Sequence, residues 1–177
     1  MDLVQKGSAA NVGFFKQLLV TMKWTDAADF DLSAVWEAKD GTRGIVYFGD
    51  LGDMNAFPHM ALDGDEGVND TGGDNQEQLR ITSLDRMKYV WILCWDYGKV
   101  QSGAAARFKD SDVKLTIMDD RGFSHDVRLD TGDLGNIALI ATIDCTSPIG
   151  ARLVNTSKAG TLKGLKTLEQ LLEVIEG

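Results

Sequence analysis

The chain has 177 residues, is 44% hydrophobic and 25% charged, and carries a net charge of -9. This suits one globular domain with a sizeable core and excludes a disordered chain. The acidic balance, with no evident Lys/Arg stripe, argues against nucleic acid. No apolar run approaches the roughly 20 residues of a spanning helix, and Asp2, Lys6 and Lys16 interrupt the stretch a signal peptide would need, so a cytoplasmic protein without membrane insertion is expected.

Strand signals dominate, because apolar residues recur at every second position in short runs separated by Gly, Asp and Asn. Leu18, Val20, Met22 and Trp24 form the first alternating run, and Leu32, Ala34 and Trp36 the next. Asp29 and Asp31 open that second run, where alternation sets both carboxylates on one side and Phe30 on the other. A short apolar run follows at Ile45 to Phe48, and Tyr89 to Trp95 is apolar on both faces, as a central strand covered on both sides would be. Further runs are Val113-Leu115-Ile117, Phe123-His125-Val127-Leu129, Ile137-Leu139-Ala141-Ile143 and Ile149-Ala151-Leu153. Turns are expected at Asp40-Gly41, around Gly122 and at Thr131 to Asp133. From Thr167 the spacing becomes helical, with Leu168, Leu171, Leu172 and Ile175 on one face and a capping box between Thr167 and Gln170.

The expected fold is all-β: a two-layer antiparallel β-sandwich of about ten strands over residues 3–155, with a C-terminal amphipathic helix over 167–176, in a single domain of residues 1–177. The helix is expected to cover an end or edge of the sandwich, the alternative being a docking helix for a partner. Cys94 and Cys145 lie in apolar runs and are expected as buried thiols, with no disulfide.

The acidity is local. Between Gly44 and Gln78 there is no lysine or arginine, while Asp50, Asp53, Asp63, Asp65, Glu66, Asp70, Asp74 and Glu77 account for nearly all of the net charge. From Asp63 to Glu77 the acids alternate with Gly64, Gly67, Gly72 and Gly73, a spacing suited to a backbone curling around a point. Each close carboxylate pair costs on the order of 1 kcal/mol even in water. Calcium takes six to eight oxygens from carboxylates, amides and carbonyls, which this segment offers in number, whereas zinc and copper would need more His or Cys. The segment is not an EF-hand: a frame begun at Asp63 puts Val68 where the turn glycine belongs and Asp74 where the bidentate Glu belongs. The competing reading is a solvated acidic loop.

Other chemistry lacks its parts. There is no nucleophile elbow, phosphate-cradling glycine loop or dinucleotide fingerprint. His59 and His125 are far apart in sequence, and Trp24, Trp36, Trp91 and Trp95 sit in strand-like runs where core packing is expected. Two carboxylates of the acidic segment could in principle serve an acid/base hydrolase, and a calcium-dependent carbohydrate-binding module is the main alternative. The preferred reading is a protein that is not an enzyme.

The stretches Val20-Thr-Met-Lys-Trp24, Asp29-Phe-Asp-Leu-Ser-Ala34, Ile45-Val-Tyr-Phe48, Gly64-Asp-Glu66 and Gly73-Asp-Asn-Gln-Glu-Gln-Leu79 resemble the TerD family of tellurite-resistance and stress-response proteins, over about Leu3 to Leu153. The resemblance implies a calcium-binding β-sandwich without catalytic activity. It matches Asp29 and Asp31 to the family's Asp-Leu-Asp, Asp65 to its Gly-Asp-Asn, and Asp74, Asn75 and Glu77 to its Gly-Asp-Asp-Glu. With Asp63 from the acidic run, these are the expected metal ligands, for one or two calcium ions. An ion that orders the acidic loop for recognition by another protein is the functional expectation.

Overall fold

The computed structural model describes residues 2–13, 17–24, 30–62, 75–96, 100, 102, 106–107, 113–131, 134–148, 150–162, 164 and 167–176. In chain order the strands begin with β1 (Asp2–Leu3), β2 (Ala9–Gly13), β3 (Leu18–Trp24), β4 (Phe30–Ala38) and β5 (Arg43–Val46). There follow β6 (Gly52–Asp53), β7 (Met60–Leu62), β8 (Asn75–Ile81), β9 (Met87–Asp96) and β10 (Ala106–Arg107). The last are β11 (Lys114–Asp119), β12 (Ser124–Arg128), β13 (Leu134–Gly135), β14 (Ile137–Asp144) and β15 (Ala151–Gly160), and then helix α1 (Leu168–Glu176).

These strands form two large sheets and a small pair. The first sheet runs β1-β12-β11-β3-β8-β7-β6, the second β2-β15-β14-β9-β4-β5, and β10 pairs with β13. Pairing is antiparallel throughout except between β1 and β12, which run parallel, so the first sheet is mixed at that edge. The expected sandwich is therefore present. Inward residues of both sheets, among them Val20, Met22, Trp24, Leu32, Ala34, Leu79, Ile92 and Leu115, make one buried cluster between the layers. The turns expected at Asp40-Gly41 and around Gly122 are present, Gly41 and Gly122 both having φ of 88°, a conformation glycine adopts without steric cost, while the turn expected at Thr131 to Asp133 extends outside the described residues.

Strand β9 lies between β4 and β14, which explains its two apolar faces. Val90, Ile92 and Cys94 point into the sandwich, while Trp91, Leu93 and Trp95 join a second cluster with Val35, Ile137, Leu139, Leu162, Leu171, Leu172 and Ile175. Helix α1 thus roofs the outer face of the second sheet, and not an end or edge of the sandwich. Its apolar stripe is consumed by its own sheet, with Leu171, Leu172 and Ile175 all buried, each contributing about 2 kcal/mol on area grounds. Both helix ends are tied: Gln170 Oε1 accepts the Thr167 N–H at 3.0 Å, the reach-back half of the capping box, and Lys158 Nζ on β15 donates to the Ile175 carbonyl at 3.0 Å. Asn136 secures the approach to the helix, its Nδ2 donating to the Leu162 carbonyl at 2.7 Å while its Oδ1 accepts the Leu162 N–H at 2.8 Å.

Two sequence expectations need correction. Ile137, Leu139, Ala141 and Ile143 do not share a face, because the register of β14 shifts between Leu139 and Ala141. The extra residue turns Ile137 and Leu139 toward the roof and Ala141 and Ile143 toward the sandwich. Phe123 lies outside β12 and is 61% exposed, with the Arg121 guanidinium 5.4 Å from its ring centre. Both cysteines are free thiols, Cys94 buried and Cys145 half-buried.

Candidate metal centre

Glu77 begins the inward face of β8, two residues before Leu79 and four before Ile81, so its carboxylate is carried into the sandwich interior. It is 4% exposed. There its Oε2 accepts the backbone N–H of Leu32 at 2.9 Å, a buried bond that crosses from one sheet to the other. The donor is available because β5 pairs with β4 only from Ala34 to Glu37, leaving the β4 edge at Leu32 beyond its reach. A carboxylate on an edge N–H is a charge-assisted bond, roughly twice as strong as a neutral one.

Asp31 precedes Leu32 directly and is 3% exposed. Alternation places it on the opposite face of β4 from Phe30 and Leu32, as the sequence predicts, together with Ser33 and Val35. Ser33 was not anticipated as part of the site: its Oγ is buried and has no hydrogen-bond partner among the described residues. At the end of β9, Asp96 is half-buried and stands opposite Phe30, its N–H donating to the Asn136 carbonyl at 3.0 Å. The negative side chains act on one common neighbour, Cys94, whose register partner is Leu32. Burial pushes the Cys94 thiol far up, and the charges of Glu77, Asp31 and Asp96 push it further.

The strand ends show why these groups lie at one end of the sandwich. Trp24 at the end of β3 pairs with Asn75 at the start of β8, and its ring packs edge-on against Phe30 at the start of β4, with ring centres 5.8 Å apart. Phe30 in turn faces Asp96, and β7 runs antiparallel to β8 toward the same end. One end of the sandwich therefore receives the strand ends adjoining residues 25–29, 63–74 and 97–99.

Of the seven expected ligands, Asp31 and Glu77 have side chains within the described structure, both buried near Leu32 but on opposite faces of β4. Asn75 opens β8 in its backbone, its side chain lying outside the description, and Asp29, Asp63, Asp65 and Asp74 lie outside the described residues. Among the described residues no three His, Cys, Asp or Glu side chains group to hold a metal. The Glu77 carboxylate, and the Asp31 carboxylate with the Ser33 hydroxyl on its face of β4, are oxygen donors, which suits a hard cation better than a soft one.

The other candidate chemistries fare differently. His125 on β12 is half-buried, and burial holds its imidazole below the usual histidine range. His59, just before β7, is separated from it by four strand spacings, about 19 Å, so the two do not form a dyad. All four tryptophans are buried: Trp24 and Trp95 at 1% exposure, Trp36 at 7% and Trp91 at 9%.

The fold defines the class first: an all-β, two-sheet sandwich with one sheet roofed by a C-terminal helix. Solved structures share it across nearly their whole length. A homologue of the telluride resistance protein TerD, SCO6318 from Streptomyces coelicolor A3(2), has a TM-score of 0.53 at 14% identity, covering 91% of this chain and 96% of that one. A protein of unknown function, SAV2460, has a TM-score of 0.60 at 13% identity, covering 92% of this chain and 98% of its own. The chain thus has the fold of a TerD homologue. No protein-family model and no curated protein matches it. Among the described residues no helix is long and apolar enough to cross a membrane.

Proposed function

We propose that the protein is a non-catalytic calcium-binding module of the TerD type, serving a stress or tellurite-resistance response in the cytoplasm. The observation that supports this reading is the burial of two carboxylates, Glu77 of β8 on the inner side of the sandwich and Asp31 on the outer face of β4, at the end that receives the strand ends flanking the acidic stretches. A buried carboxylate is costly unless hydrogen bonds or a positive charge offset its desolvation. One or two divalent cations with hard-oxygen preference would be held by Asp31, with Ser33 Oγ near it, and by Glu77, with Asp29, Asp65, Asp74 and Asn75 as the family-matched remainder and Asp63 from the acidic run. When bound, the ion would supply charge neutralisation and would fix the acidic segment in one shape. That ordered surface is what a partner protein would read.

The protein's own contribution is positional. Leu32 N–H orients the Glu77 carboxylate, the Trp24–Phe30 contact joins the two sheets beside it, and Cys94 supplies an apolar floor. Calorimetric titration of metal-stripped protein with calcium tests the reading. One or two stoichiometric sites, abolished in Asp31→Asn/Glu77→Gln, are expected; no heat of binding beyond dilution would refute it. The fold of a TerD homologue supports the assignment to this class.

A further inference from the structure

The outer face of the first sheet differs from that of the second: among the described residues no helix lies over it. Strand pairing writes a pattern there that sequence spacing conceals. Lys23 on β3 stands directly opposite Lys114 on β11, and Lys114 stands directly opposite Arg128 on β12. On the other side Lys23 faces Gln76 of β8. Alternation places all four on the outward face, since Met22, Trp24, Leu115, Val127 and Leu79 point inward. Three cations in adjacent strands, each about 4.8 Å from the next, are thus lined up in a chain whose net charge is -9.

Like charges directly opposite one another destabilise a sheet. Among the described residues none of the three forms an ion pair, although four ion pairs occur elsewhere. The neighbouring row is Thr21, Thr116 and Asp126, and there the Asp126 carboxylate is engaged by the Thr116 hydroxyl at 2.9 Å. Asp2 follows Asp126 in register across β1.

We propose that this row is a docking site for an acidic polypeptide segment of a partner protein, crossing the strands along Gln76, Lys23, Lys114 and Arg128. The row spans about 14 Å, too long for one small oxyanion and suited to several carboxylates in succession. Arg128 can take a carboxylate in a two-point fork, and the lysines act as point charges. Nucleic acid is disfavoured because no aromatic side chain in the row offers a base a stacking surface, and because the chain's overall negative charge repels a long polyanion. The proposal is independent of calcium binding.

The test is fluorescence anisotropy with a labelled oligoglutamate peptide, in low salt and without added metal. Saturable binding is expected, weakened about tenfold in Lys23→Gln/Lys114→Gln and again at physiological salt, and unchanged in Arg152→Gln on the other sheet. Equal binding by the double variant, or tighter binding of a matched oligothymidylate than of the peptide, would overturn it. A melting curve of Lys114→Gln gives a separate check. Relief of the like-charge contacts predicts a Tm raised by about 1–2 °C; a lowered Tm would mark Lys114 as a structural residue and overturn the proposal.

Discussion

Glu77→Gln isolates the charge of the candidate centre from its role in the fold. The glutamine has the shape of the glutamate and keeps a side-chain oxygen that can accept the Leu32 N–H, so the bond between the sheets survives. With metal at about 100 times the wild-type dissociation constant, binding to the folded state alone contributes about 2.7 kcal/mol. For a chain of this size that raises Tm by about 5–11 °C. If one charged oxygen contributes a factor of about ten in affinity, the same metal concentration is only about ten times the variant's dissociation constant, and the gain falls to about 1.4 kcal/mol. Differential scanning fluorimetry with calcium and with chelator should therefore show the calcium-induced shift roughly halved. Glu77→Leu serves as the companion, because it also strands the Leu32 N–H and should cost about 1–3 kcal/mol without any metal. A full calcium shift in Glu77→Gln, equal to wild type, would refute a role for this carboxylate in holding the ion.

The remaining predictions concern the fold more widely. Asp119 is pushed up by burial, but hydrogen bonds from the Arg121 side chain and from the Phe123 and Arg121 N–H groups outweigh this and hold it below the usual carboxylate range. Its stabilising effect is thus present above the unfolded value near 3.8 and is lost as pH falls through the folded value. Urea midpoints should show Asp119→Asn less stable than wild type at neutral pH, with the gap closing in acid. Asn155→Leu should cost about 2–4 kcal/mol in urea unfolding, because the buried Asn155 Nδ2 donates to both the Leu3 and Arg128 carbonyls, each at 2.8 Å. Thiol labelling should be slow in the folded protein at mildly alkaline pH, since burial pushes Cys145 up to about 11 and Cys94 higher still; fast labelling of both would contradict their packing.

Much of this architecture could be read from local spacing. Alternation within β3 and β4 gave the correct inward faces, the double apolarity of β9 foretold a covering on both sides, and Thr167 with Gln170 marked the helix start to the residue. What escaped was non-local. The register shift in β14 depends on its pairing with β9 and β15, so its own alternation misled. The row of Lys23, Lys114 and Arg128 exists only once three strands are aligned, and for that reason no stripe was visible in the sequence. The same holds for Ser33, a small residue in an apolar run whose significance lies in a buried hydroxyl without a partner among the described residues. Asp31 and Glu77, separated by many residues, were linked by residue type and family likeness, and it took the Leu32 N–H to show that Glu77 reaches the strand carrying Asp31.

The helical roof carries a practical consequence for anyone handling the molecule. Clipping the chain near Leu162 would leave the two-sheet body intact while baring Val35, Trp91, Leu93, Trp95 and Leu139 together, an oily plateau of the kind that drives self-association. A shortened version should therefore precipitate or oligomerise even with its sandwich correctly formed, and the loss would mimic misfolding while originating in solubility.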